Sequence, residues 1–170
     1  SMGLPIFRNF FNYLASPFNI ILLFFTEKTI ITGYSFVIML RVSTCAATFN
    51  YFLEQKFKDK KSIYIFLSLL YAFSNYFVSY YWNIMWLDGM VFLPLIVLGI
   101  EKIINENKYL LYIISLTITI ISNYYIGYTC CIYSAIYFIF YLIYKTEFKS
   151  LKNKKYLKST LKKVLIFTLS

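Results

Sequence analysis

Histidine is absent from all 170 residues, and acidic residues number only seven. The first absence removes imidazole chemistry, so this segment holds no Ser-His-Asp triad, no Cys-His pair and no histidine metal site. The five glycines are scattered singly, which excludes a glycine-rich phosphate loop. The three cysteines, Cys45, Cys130 and Cys131, lie inside apolar runs and form no CxxC pair. A zinc ribbon or thioredoxin-like centre is therefore unsupported, and packing is the simplest role for all three. The first 15 residues lack a basic stretch followed by an apolar core, so no signal peptide is expected. Both ends read as cuts within a longer protein.

What is present is apolar and aromatic. Hydrophobic residues make up 60%, aromatic residues 22% and charged residues only 14%. Soluble domains average about 25% charged. This balance points to an integral membrane protein built from helices.

A spanning helix takes about 20 apolar residues. Ile30–Leu53 qualifies, interrupted only by Arg41, and so does the uncharged run Ile63–Trp82. Gly89–Ile100 is shorter and needs residues from beyond its ends. Tyr109–Tyr144 runs 36 residues without a charge. One helix of that length would measure about 54 Å against a hydrocarbon core of about 30 Å. The turn-prone cluster Ser122–Gly127 divides it into Tyr109–Ile121 and Tyr128–Tyr144. A sixth span starts near Leu161. Before the first span, Ser16-Pro17 is a helix-start signal. The short run Ile20–Phe25 that follows suits a helix lying in the membrane interface. The expected fold is thus an all-α, polytopic bundle of about five spans plus a truncated sixth. Residues 1–29 form an outer-face segment, and residues 30–170 form the bundle.

A net charge of +10 suits either nucleic acid or membrane topology. The positions decide. The loops Glu54–Ser62, Glu101–Lys108 and Lys145–Lys163 hold 14 of the 17 basic residues, all on one side if the helices alternate. The loops Asn83–Asp88 and Ser122–Gly127 hold none. Lysine-rich loops stay in the cytoplasm, which puts the Asp88 and Tyr124 loops outside and excludes a nucleic-acid partner.

Five of the seven acids then fall on the lysine side, where solvated pairing with lysine is expected. On the outer side Asp88 stands among apolar residues, where a carboxylate is costly unless paired or wet. It either caps the next helix or binds an acceptor, a metal or a cationic partner. Arg41 is the one charge in the middle of a span. It either pairs with a buried acid, of which Asp88 is the nearest on the outer half, or with backbone carbonyls, or it forks onto a lipid phosphate. Asn83 and Asn123 either satisfy helix ends or line an outward pocket with Asp88. Trp86, Tyr124 and Tyr125 belong to dense aromatic loops, which form an interfacial belt or a cleft for sugar or lipid.

Ser16-Pro17-Phe18-Asn19, Asn83-Ile84-Met85-Trp86-Leu87-Asp88, Leu93-Pro94-Leu95, Leu98-Gly99-Ile100-Glu101 and Ser122-Asn123-Tyr124-Tyr125-Ile126-Gly127-Tyr128 resemble the YfhO family of bacterial membrane proteins in order and spacing. The resemblance implies a GT-C-type glycosyltransferase. Such an enzyme moves a sugar from a polyprenyl-phosphate carrier to a cell-wall polymer such as lipoteichoic acid, at the outer face. It further implies a principal catalytic carboxylate upstream of Ser16, outside this chain. Asp88 resembles a second, supporting acidic position. No cofactor is evident, and a divalent metal is compatible with such a site. The rival expectations are a transporter or lipid flippase, or a non-catalytic partner in cell-wall assembly. No internal repeat favours the transporter.

Overall fold

The computed structural model describes residues 15–59, 61–145 and 167. Among them every regular element is helical. A 3₁₀ segment, Pro17–Phe24, comes first. It is followed by α1 (Ile30–Phe57), α2 (Ser62–Ala72), α3 (Asn75–Tyr80), α4 (Ile84–Glu106), α5 (Leu110–Ser122) and α6 (Tyr124–Lys145). The expected sixth span near Leu161 lies outside the described residues.

Four stretches are long and apolar enough to cross a membrane: α1, α2–α3 taken together, α4 and α6. The α5 helix has 13 residues, a rise of only about 20 Å against the roughly 30 Å of a hydrocarbon core. Several boundaries differ from those expected. The Ile63–Trp82 run is not one helix, because it breaks at Phe73–Ser74. The third span starts at Ile84 and not at Gly89, so Asp88 lies within a helix and not in a loop. The division of the long apolar run is a single non-helical residue, Asn123, which puts Tyr124 and Tyr125 in the first turn of α6. The segment expected to lie in the membrane interface is a 3₁₀ helix, and its Ile20, Leu23 and Phe24 are exposed.

Helix α4 is the centre of the bundle. Its spanning window is 61% buried, against 22% for each of the other three. On one side Leu87 and Val91 pack with Cys45, Ala72 and Phe77 from α1, α2 and α3. On the other, Ile96, Ile100, Ile103 and Ile104 pack with Tyr112, Leu116, Cys130 and Phe138 from α5 and α6. Cys45 and Cys130 are thus packing residues, and all three cysteines are free thiols. Close approach is set by glycine. A Cβ on Gly99 would sit 2.7 Å from the Tyr112 backbone, and one on Gly127 would sit 2.6 Å from Ile120 Cα. Such small-residue contacts suit a membrane, where packing and not water exclusion holds helices together.

Pro94 sits inside α4 and carries no N–H, which leaves the carbonyl of Met90 without its helical donor. Tyr71 of α2 supplies one, its hydroxyl donating to that carbonyl at 2.9 Å. In hydrocarbon an unsatisfied backbone group costs several kcal/mol, so a neighbouring helix must answer the proline.

Contacts along the axis fix direction. Arg41 meets Asp88 and Lys56 meets Glu101, so α1 and α4 run the same way. Ile126 sits against Gly89 and Tyr137 reaches Glu101, so α6 runs that way too. All three end where Lys56, Lys58, Lys102 and Lys145 cluster. The opposite end carries Asn83, Trp86, Asn123 and Tyr124.

Candidate functional site

At the tyrosine-bearing end, two charges are completely enclosed. Arg41 is 0% exposed and Asp88 is 1% exposed. Arg41 Nε donates to Asp88 Oδ1 at 2.7 Å. Its Nη2 donates to Ser16 Oγ at 2.9 Å and to Asn19 Oδ1 at 3.1 Å. The guanidinium carbon lies 5.1 Å from the centre of the Phe18 ring, within cation–π range. One side chain on α1 thereby ties the 3₁₀ segment to α4. Ser16 is also the cap of that segment, its Oγ accepting from Phe18 N.

The arrangement is incomplete in one respect. Arg41 Nη1 and Asp88 Oδ2 are buried and have no hydrogen-bond partner among the described residues. A donor and an acceptor on one ion pair are thus left open, in surroundings where each unpaired polar atom is costly. The forked phosphate contact expected of Arg41 is not available as the side chain stands, since Nε and Nη2 are both engaged. Nη1 is the nitrogen that remains.

The other expected residues divide. Asn123 caps α6, its Oδ1 accepting from Tyr125 N at 3.0 Å and Ile126 N at 3.1 Å. Asn83 is buried at the start of α4, its backbone bridging Tyr80 and Trp86. Trp86 stacks obliquely on Tyr80, with ring centres 5.3 Å apart. Tyr124 and Tyr125 pair at 4.0 Å. With Ile120, Tyr128 and Cys131 they line an open, apolar cavity of about 490 Å³. Arg41 and Asp88 therefore meet, while the tyrosines form a separate wall at the same end. Ser16, Phe18 and Asn19 were not expected as partners of Arg41. Their signal in the sequence was the Ser16–Asn19 motif itself.

Glu101 departs from expectation at the other end. It is 6% exposed and not solvated. Its Oε1 accepts from Lys56 of α1 and, at 2.7 Å, from the hydroxyl of Tyr137 of α6. Among the described residues no group of three His, Cys, Asp or Glu side chains comes together to hold a metal. Asp88 alone is a poor fit to a divalent ion, which needs several oxygens.

Four apolar spans, three of them packed around the fourth, with charge enclosed at one end, define a multi-pass membrane protein. The sequence profile described as "Bacterial membrane protein YfhO" matches residues 1–170, and the chain belongs to that family. It is 32% identical over 127 residues to the "Uncharacterized protein YfhO" of Bacillus subtilis (strain 168). That match covers 74% of this chain and 14% of the relative. No solved structure matches.

Proposed function

We propose that the intact protein is a GT-C-type glycosyltransferase that transfers a sugar from a polyprenyl-phosphate carrier to a cell-wall polymer such as lipoteichoic acid. The reaction takes place at the outer face of the bacterial membrane, with the lysine end of the bundle in the cytoplasm. The observation that carries this reading is the enclosed Arg41–Asp88 pair with Nη1 and Oδ2 unpartnered. In transfer, an acceptor hydroxyl attacks C1 of the sugar, the C1–O bond to the phosphate breaks, and the hydroxyl proton passes to a carboxylate. Asp88 Oδ2 accepts a hydrogen bond from the acceptor and orients it, with the principal base upstream of Ser16. Arg41 Nη1 donates to an oxygen of the leaving phosphate, where negative charge grows. Asn83, Trp86 and Asn123 border the sugar, and Tyr124 and Tyr125 wall the isoprenoid chain. The Ser16–Phe24 segment, held by Arg41, borders the entrance from the lipid.

The test uses the purified intact protein in proteoliposomes, with a labelled sugar on polyprenyl phosphate and a polymer acceptor. Label should enter the polymer. A flippase would move the labelled carrier across the bilayer and leave the polymer unlabelled, which would overturn the enzyme reading.

A further inference from the structure

At the lysine end, where α1, α4 and α6 all terminate, lies a half-open cavity of about 820 Å³. The size is within the range of ligand sites, about 300–1,000 Å³. It is lined by Lys56, Lys58, Lys102 and Lys145, by Glu54, Asp59, Glu101 and Glu106, and by Asn105 and Tyr141 among others. The lining looks balanced, but most of the acids are already answered. Glu101 is taken by Lys56. Asp59 pairs with Lys61 at 2.8 Å and Glu106 pairs with Lys108 at 2.9 Å, both from outside the cavity. The lysine and the Tyr64 hydroxyl beside Asp59 hold its carboxyl below the ordinary value, so its charge stays satisfied where it is. Lys58, Lys102 and Lys145 form no ion pair among the described residues; Glu54 and, at longer range, Glu106 are the acids that oppose them.

Helix C-termini attract lysines without any ligand. That accounts for Lys56 and Lys145 in the last turns of α1 and α6, but not for Lys102, which lies before the last turn of α4, nor for the concave space they border. Beside the cavity the helix faces are greasy. Phe57 is 58% exposed and Tyr144 is 81% exposed, with Tyr51, Phe140 and Ile143 also outward. A free phosphate has no use for such a border, whereas a lipid lays its acyl chains along it.

We propose that this cavity binds the phosphate headgroup of an anionic phospholipid, with Lys58, Lys102 and Lys145 as its cationic partners and Asn105 as a polar one. Basic pockets between helix ends are the usual headgroup sites of membrane proteins. The inference is independent of the glycosyltransferase reading, which concerns the opposite end.

The intact protein in detergent is titrated with phosphatidylglycerol and, separately, with phosphatidylcholine, and bound lipid is counted by native mass spectrometry. Wild type should retain phosphatidylglycerol selectively. The triple variant Lys58→Gln, Lys102→Gln, Lys145→Gln should bind it at least about tenfold more weakly. As a control for charge alone, Lys28→Gln, just before α1 and at the opposite end of the bundle, should bind like wild type, whereas Lys102→Gln should not. Equal loss in these two single variants means general attraction only and overturns the site. Displacement of the lipid by inorganic phosphate at equal concentration also overturns it, because the site would then recognise phosphate alone. Loss of phosphatidylcholine binding in the cavity triple would mean a damaged bundle. In that case the single variant Lys102→Gln, with the bundle intact, must lower phosphatidylglycerol binding selectively or the proposal fails.

Discussion

Replacing Arg41 with Met leaves the Asp88 carboxylate enclosed without its counter-charge. Replacing Asp88 with Leu does the same to the guanidinium. Removing one member of a buried pair costs about 3–5 kcal/mol. Membrane surroundings give no relief, since neither group reaches water. If the two losses were independent, the double variant would suffer about 6–10 kcal/mol, twice the single-site cost. The geometry says otherwise, because Nε and Oδ1 are 2.7 Å apart and each charge answers the other. With both replaced by apolar side chains, no charge is stranded. What remains is the loss of the donor to Ser16 and Asn19, about 0.5–1.5 kcal/mol per hydrogen bond. Ser16 Oγ keeps Phe18 N as a donor, which softens that loss. The double variant should therefore be much closer to wild type than either single variant, with a coupling of at least about 3 kcal/mol. Unfolding of the intact protein in mixed micelles, titrated with SDS, measures all four corners of the cycle. Additive single costs would refute the reasoning and would mean that the two side chains do not depend on each other.

Three further outcomes follow from other contacts. Tyr71→Phe removes the stronger donor to the Met90 carbonyl, leaving the weak Cys45 thiol at 3.7 Å, and should cost about 1–3 kcal/mol in the same unfolding assay. In a Pro94→Ala background, where Met90 regains its helical donor, the same change should cost much less, and an equal cost would contradict this account of the proline. Asn123→Ala strips the cap from α6 and should cost about 1 kcal/mol. Asn123→Asp should be tolerated, as a thermal melt of both variants would show. Single cysteines at Lys58 and Tyr124, in a background lacking the native three, should label from opposite sides of the membrane. Labelling from one side would overturn the direction of α1 and α6.

The spans were legible because the absence of charge over about 20 residues is a direct demand of hydrocarbon. Their ends were less so. Asn83–Asp88 looks like a loop because it is polar at both ends, yet Ile84–Asp88 is helical and Arg41 answers the charge of Asp88 there. That partner lies 47 residues away, and spacing carries no record of such a distance. Glu101 looks solvated beside Lys102, but its partner is Lys56, 45 residues earlier. The polar cluster Ser122–Gly127 marks the turn but is wider than it, since a capping Asn123 lets the tyrosines continue as helix. The Tyr71–Met90 bond that answers Pro94 was invisible, because the proline announces a missing donor without saying which helix supplies one.

On the proposed reading, the Arg41–Asp88 pair serves chemistry as well as fold. The variant that separates the two is Arg41→Met with Asp88→Leu, which should keep the bundle while removing both open polar atoms. The decisive measurement is sugar incorporation into the wall polymer, per molecule of inserted protein, in cells carrying that double variant in place of wild type. Normal insertion and no incorporation are expected. Incorporation at the wild-type level would contradict that reading and leave the pair as a tie between helices.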